Sequence, residues 1–450
     1  MKPSPPAPST APLRLAILGA GWAGMAAAVR AVELGHHVTV FEAARTLGGR
    51  ARGVALALPD GREVMVDNGQ HILIGAYSDS LRLMRTVGVD PDTALLRRPL
   101  ALQYPDGSGL ALPDWPAPLD AAAGILAARG WAWRERLALL RAALGWQRAG
   151  FQCDEQLSVA DLCAALPQRL RDEFIEPLCV SALNTPIAQS SAQVFLRVLH
   201  DALFSQRGGS NLLLPRVDLS ALFPQSAARW ISARGARVVA GQRVDALHWE
   251  APHWHIDGQP FDRVLVATSA SNAVQIAVQS AQAAAPSIAN QLHAWAHGAA
   301  QLRHQAITTV YAQAAAPAPR LRAPMLALRP GVDAPAQFVF DRDAITAATA
   351  PTGLLAFVVS TSAGERDDLQ TAIAAQARSQ LGLAVPPLRT PTDRRATFAC
   401  TPGLRRPPAA IARGLQAAGD YVEGPYPATL EGAVRSGLQA ARALGSAAPR

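Results

Sequence analysis

The sequence predicts an α/β protein in which a doubly wound, parallel-stranded domain is interleaved with a second domain of helices and antiparallel sheet. Three observations carry that prediction. A strand, a glycine loop, a helix and a second strand open the folded part; strand-type alternation returns far downstream, near residues 230–267 and 307–360; and a Leu/Ala/Arg-rich helical stretch lies between.

The elements follow in order. Leu13–Leu18 is a short apolar strand that runs into Gly19-Ala20-Gly21-Trp22-Ala23-Gly24. A helix then passes through Met25 and Ala28 to Leu34 and stops at Gly35, a C′ glycine. The strand Val38–Phe41 ends on Glu42. Two hairpins are expected: Val54–Leu58 with Glu63–Val66 across Pro59-Asp60-Gly61, and Leu100–Tyr104 with Leu110–Leu112 across Pro105-Asp106-Gly107. Residues 119–203 read as mostly helical. Strands return at Ala236–Val239, Val244–Trp249 and Val264–Ala267, then at Ile307–Tyr311, Gln337–Phe340 and Leu354–Ser360, with a Pro/Ala-rich stretch over 313–335. A final helix is expected from Glu431 to Leu444.

Composition limits the function classes. Of the 450 residues, 50% are hydrophobic and 17% charged, which excludes a disordered chain. The net charge is +8, yet Lys2 is the only lysine, and the arginines are scattered without a phosphate-tracking block, so nucleic-acid binding is not expected. A Schiff-base or Walker A lysine is excluded from the folded part. Cys153, Cys163, Cys179 and Cys400 show no metal-ligand spacing and read as reduced thiols of a cytoplasmic protein, so no metal site is expected. Residues 1–12 read as a loose tail, not a signal peptide, and no apolar run reaches the length of a membrane span.

The glycine loop between strand and helix is a dinucleotide fingerprint. Gly19 makes the turn, Gly21 lets backbone approach the pyrophosphate, and Gly24 allows the helix onto the strand, with Ala23 in the same first turn. Glu42 stands where a carboxylate takes the ribose hydroxyls. Arg45 and Val244 are placed in the same cofactor set. Gly48-Gly49-Arg50 offers a second glycine pair and a cation for the pyrophosphate, and Gly419-Asp420 ahead of the last helix suits a ribityl hydroxyl. No second G-x-G-x-x-G occurs, so the cofactor expected is a single FAD.

These pieces resemble the amine oxidase and carotenoid desaturase superfamily of FAD enzymes. Within it, Asp67-Asn68-Gly69-Gln70-His71 with Ile72–Tyr77, Pro177-Leu178-Cys179 with Ala182–Pro186, Ala192–Leu196, Leu214–Pro224 and Pro427–Gly437 are similar to the hydroxysqualene dehydroxylase family. The resemblance runs from about Leu13 to Leu444. Gly419-Asp420-Tyr421-Val422-Glu423-Gly424-Pro425 departs from it, the family more often having Trp after the Asp and a Thr-Gly-Leu-like turn. The resemblance implies a Rossmann-like FAD-binding domain (13–99, 208–290 and 395–446) interleaved with a substrate domain (100–207 and 291–394). It also implies reductive removal of the hydroxyl of hydroxysqualene, or of a similar polyisoprenoid, giving squalene for hopanoid or related triterpene synthesis, with an unidentified electron donor. The allylic C–O bond needs a proton donor beside the flavin and a long apolar pocket.

His71 is the candidate donor; the alternative is that it only hydrogen-bonds the flavin or backbone. Asp67 and Tyr421 are weaker candidates. Cys179 and Asn184 either line a substrate tunnel or pack within the helices. The missing lysine argues against an amine oxidase, and the complete FAD set argues against a non-catalytic isoprenoid-binding protein. A carotenoid-type desaturase remains the enzymatic rival. Residues 124–151 set Trp131, Trp133 and Trp146 among Arg129, Arg134, Arg136, Arg141 and Arg148, with Glu135 alone opposing. That composition is either an interfacial helix or a helix with a solvated basic face, and the former would place the protein at the inner face of the cytoplasmic membrane.

Overall fold

The computed structural model describes residues 11–314 and 321–446. The expected tail, up to residue 10, lies outside the described residues. The opening unit is β1 (Arg14–Leu18), α1 (Trp22–Glu33) and β2 (His37–Glu42). β1 pairs in parallel with β2 and with Arg263–Val266, and β2 pairs in parallel with Arg237–Ala240. Arg263–Val266 in turn pairs with Leu415–Ala417, and Ala410–Ala412 closes the edge of this six-stranded sheet antiparallel. The chain therefore visits the sheet in three separated stretches. Near-continuous apolar strands such as β1 are what a sheet covered on both faces requires.

α1 is almost wholly buried because Ala predominates along it and lets neighbours approach closely. Leu34 caps it and Gly35 follows at φ +83°, as the stop signal predicts. The last helix, Leu430–Ser446, lies on α1, and a Cβ at Gly437 would come within 2.1 Å of the Ala23 carbonyl oxygen. At its start, the fully buried Glu431 accepts hydrogen bonds from the amides of Asp79 and Ser80, from the Ser80 hydroxyl and from Arg435 Nε.

The second six-stranded sheet is centred on His304–Gln313, which pairs antiparallel with Leu354–Ser360, Pro387–Arg389 and Thr392–Phe398. Thr392–Phe398 carries this sheet across the expected domain boundary at 394/395. The stretch 119–203 is helical, with segments including Leu119–Ala127, Trp133–Arg148, Glu176–Leu183 and Ala192–Leu203. Both expected hairpins form, as β3 (Gly53–Ala57) with β4 (Glu63–Asp67), and as Ala101–Gln103 with Gly109–Ala111. Two expectations are corrected. The Val244–Trp249 strand shrinks to His248–Glu250, because the preceding residues turn across the end of β2: Gly241 N–H donates to Ala44 O and Gln242 N–H to Glu42 O. The stretch 313–335 carries a short strand, Met325–Ala327, that pairs with Phe338–Asp341.

Candidate active site

The cradle lies at the carboxyl ends of β1 and β2, where a doubly wound sheet binds its ligand. Gly19 has φ +103°, and a Cβ there would sit 2.7 Å from the Ala267 carbonyl oxygen; at Gly24 it would meet the Gly19 oxygen at 1.9 Å. Protein packing alone demands glycine at both positions. Gly21 differs: its backbone is extended (φ −77°), and a Cβ would find nothing nearer than 3.9 Å. No neighbour in the chain requires glycine there, and the clearance above it suits a phosphate approaching the first turn of α1. Ala23 is buried in that turn, which carries no acidic side chain. Gly48 donates its N–H to Ala20 O, so the second glycine pair stacks on the first loop, and a Cβ on Gly49 would lie 3.4 Å from Gly21 Cα.

Glu42 ends β2 with its carboxylate aimed at the loop. Oε2 accepts from Ala20 N–H at 2.7 Å and Oε1 from Ala44 N–H at 2.9 Å. A carboxylate has further lone pairs, so this anchoring orients Glu42 and leaves capacity for ribose hydroxyls. Val244 is half-buried on the segment that crosses the end of β2, whereas Arg45 is exposed in the loop beyond Glu42.

Arg50 and Asp420, read separately in the sequence, meet here. Arg50 Nη2 donates to Asp420 Oδ1 at 2.5 Å, and Nη1 donates to Ala396 O on the antiparallel sheet. The Asp420 charge, the largest influence, holds the guanidinium pKa above its ordinary value against the cost of burial. Gly419 donates its N–H to Ser436 Oγ, and a Cβ on it would strike the Tyr421 ring at 2.5 Å. Tyr421 is buried with its hydroxyl unpartnered, and burial together with the Asp420 charge raises its pKa.

Beside this pair stands His71. Its Nδ1 lies 2.9 Å from Asp67 Oδ2 and 3.0 Å from Oδ1, and its backbone N–H also donates to Asp67. The imidazole ring packs over Gly69, where a Cβ would lie 3.0 Å from His71 Cε1. Asp67 is 3% exposed while the His71 side chain remains 31% exposed, so the pair has a sealed and an open end. Burial pulls the His71 pKa down, but the charge and hydrogen bond of Asp67 overcome it and leave it raised. Burial likewise pushes Asp67 up, and His71, its hydrogen bonds and the Arg342 charge bring it below the usual carboxylate value. His71 therefore holds its proton more firmly than a free histidine does.

The antiparallel sheet, with the short helix Arg342–Thr346 that follows its strand Phe338–Asp341, supplies residues that sequence reading missed. Tyr311 donates its hydroxyl to the Asp67 carbonyl oxygen, and Arg342 Nη1 donates to Gln70 Oε1 at 3.3 Å. Gln70 is buried at φ +50°, and its Nε2 has no partner. Asp393 is close enough to influence both Arg50 and His71. No local motif marks Tyr311, Arg342 or Asp393, since their role comes from sheet packing across the chain.

Cys179 sits in the core at 0% exposure, its thiol directed at Thr185 O (3.6 Å) and its pKa pushed up to about 12 by burial. Asn184 takes the left-handed C-cap position of Glu176–Leu183 (φ +47°), and its Oδ1 accepts from Ser360 Oγ at 3.3 Å. The structure thus gives Cys179 a packing role and Asn184 a capping role.

The free clearance over Gly21, the oriented Glu42 and the orphaned Tyr421 hydroxyl fit a bound FAD. Comparison with known proteins agrees. A hydroxysqualene dehydroxylase of Zymomonas mobilis is 27% identical over 94% of this chain and 97% of its own. A 15-cis-phytoene desaturase of Synechococcus elongatus is also 27% identical, but over 50% of this chain and 49% of its own. The solved structure of cyclohexylamine oxidase from Brevibacterium oxydans has the same fold, with TM-score 0.67 and 16% identity over 97% of this chain and 99% of that one. The family model described as flavin containing amine oxidoreductase matches residues 22–445. With nearly the whole folded chain inside that match and the dinucleotide cradle intact, the protein belongs to the flavin-containing amine oxidoreductase family and is an FAD-dependent oxidoreductase.

Proposed function

We propose that this enzyme replaces the hydroxyl of hydroxysqualene, or of a closely similar allylic polyisoprenoid alcohol, with hydrogen, giving squalene. The carrying observation is the end-to-end match to a relative named for that reaction, against a half-length match to a desaturase. Gly21 and the first turn of α1 would hold the pyrophosphate, Glu42 the ribose, and Asp420 a ribityl hydroxyl, with Arg50 steadied between Asp420 and Ala396. The chemistry that FAD supplies when bound and reduced is hydride transfer.

His71 does the acid work. Asp67 fixes the imidazole through Nδ1, leaving Nε2 on the open side to present a proton to the leaving oxygen. The C–O bond breaks with its electron pair on oxygen and the His71 proton leaves in water; reduced FAD, held by Gly21, Glu42 and Asp420, would supply the hydride that completes the balance at carbon. Each turnover consumes two electrons, so a separate two-electron donor must reload the enzyme. As His71 gives up its proton, the buried Asp67 stays ionised and favours the cation forming nearby. A substrate of this kind dissolves in bilayers, so the enzyme is assigned to the cytoplasmic face of a membrane; among the described residues no helix is long and apolar enough to cross one.

An anaerobic single turnover tests the reading. Protein with chemically reduced flavin is mixed with hydroxysqualene in detergent, and flavin absorbance and extracted lipid are followed together. Recovery of oxidised-flavin absorbance with stoichiometric squalene is expected. No squalene, with bleaching of oxidised flavin by a polyene precursor, would transfer the reading to a desaturase.

A further inference from the structure

Among the described residues, ten large apolar side chains stand exposed, and six of them, Trp115, Leu119, Leu126, Trp133, Leu137 and Leu144, fall within residues 115–144. Their placement is ordered. On Trp133–Arg148, the exposed Trp133, Leu137 and Leu144 follow at offsets of four and seven, which puts them on one stripe, while Glu135, Leu139 and Trp146 point the other way into the protein. The preceding helix, Leu119–Ala127, repeats the pattern: Leu119 and Leu126 share its outer face, and Asp120, Gly124 and Ile125 are buried. Arg136 ties the two helices together. Its Nη1 donates to Leu126 O at 2.6 Å, and its guanidinium lies 4.9 Å from the Trp133 ring centroid.

The charge beside the stripe is equally ordered. Arg134, Arg141 and Arg148 recur at heptad spacing along one flank of the stripe, and all are exposed. The only carboxylates of residues 119–148 are Asp120 and Glu135, and both are buried; Glu135 is spent capping the Ala132 N–H. The outward face is therefore apolar along its ridge and cationic along its flank.

We propose that this two-helix face docks the enzyme on an anionic lipid surface, with Trp133, Leu137, Leu144, Leu119 and Leu126 entering the acyl boundary and the Arg134–Arg141–Arg148 row engaging lipid phosphates. A second copy of the chain would bring like arginine rows together, whereas anionic headgroups complement them. The assignment corrects the tryptophans named from sequence. Trp131 is 3% exposed and packs edge-on to Phe174, and Trp146 is half-buried against the core, so of the three only Trp133, at 64% exposure, faces outward. The proposal deepens the functional reading by naming its partner surface, and rests on that reading only for the substrate.

The test uses FAD-loaded enzyme and no substrate, so each idea can fail alone. Co-sedimentation is measured with phosphatidylglycerol vesicles and with phosphatidylcholine vesicles, for wild type, for Trp133→Ser/Leu137→Ser/Leu144→Ser and for Arg134→Gln/Arg141→Gln/Arg148→Gln. Flavin absorbance reports that each variant is folded. The expected result is binding to phosphatidylglycerol that falls by about tenfold or more in either variant and weakens in 0.5 M salt, the order of magnitude set by three interfacial cations or three buried side chains. Absence of wild-type binding, or serine-variant binding equal to wild type, would overturn it. So would a dimer in vesicle-free buffer that the serine variant dissolves while no vesicle is bound.

Discussion

At the scale of single residues, the chemistry turns on how Asp67 sets His71. The His71 pKa is raised, with Asp67 overcoming burial, so the imidazolium form and the stability it confers are fully present below about pH 6.5 and are lost as pH rises through the raised value. The Asp67 pKa is lowered, so its contribution is present above about pH 4 and is lost as pH falls through that lowered value. Between those limits both partners are charged. If His71 donates the proton, the single-turnover rate falls on the alkaline side, beyond the pH where an ordinary histidine deprotonates. Asp67→Asn should move that alkaline limb toward lower pH, and His71→Gln should remove it and slow the reaction by roughly 10²–10⁴-fold. A His71→Gln profile that keeps the wild-type limb would assign the proton to another group. The side-chain types at Asp67 and His71 are legible in the sequence; the raised pKa is not, because it depends on a carboxylate sealed beneath Tyr311 and Arg342, more than two hundred residues away.

At the scale of elements, the glycines of the nucleotide loop separate packing from binding. Gly24→Ala drives a methyl group into the Gly19 carbonyl at 1.9 Å, an overpacking that costs about 1–3 kcal/mol. Gly21→Ala meets only ordinary contacts at 3.9 Å, from an extended backbone that alanine adopts freely, so the apoprotein should keep its stability or gain ~0.4–1 kcal/mol from a less flexible unfolded chain. FAD affinity should nonetheless drop in the Gly21 variant. Thermal unfolding of both apoproteins, with flavin titration, checks the contrast: a Gly21→Ala apoprotein as unstable as Gly24→Ala would mean that the clearance over Gly21 belongs to packing. The βαβ unit and both hairpins were readable because their signals are local, a glycine after an apolar strand or a Pro-Asp-Gly turn. The Val244–Trp249 segment misled because its apolar alternation is that of a strand, while hydrogen bonds from Gly241 and Gln242 to the end of β2 claim the backbone first. Trp131 misled for a related reason: composition marks an interfacial helix, but only the packing against Phe174 shows which tryptophan faces inward.

For the whole molecule, the interleaving of the two sheets has a thermodynamic consequence. The parallel sheet takes strands from residues 14–42, 237–266 and 410–417, and the antiparallel sheet takes 304–398, so one sheet's stretches bracket the other. Contacts across the boundary gather at the active site, with Tyr311 on Asp67, Arg342 on Gln70 and Arg50 on Ala396, and extend to the exposed Arg389 on Ala55 of the first hairpin. A parallel sheet deprived of its third visit would lose Leu415–Ala417 and the helix that covers α1, exposing the Ala-rich surface on which that helix lies. The two sheets should therefore unfold together, in one thermal transition seen alike by far-UV and near-UV circular dichroism. Flavin binding across their boundary should raise that single transition, by about 2.7 kcal/mol of stabilisation at a hundredfold excess over Kd. Two resolved transitions, with flavin shifting only one, would show that the contacts around Asp67, Arg50 and Gln70 do not couple the halves, and that the cradle is completed within the parallel-sheet domain alone.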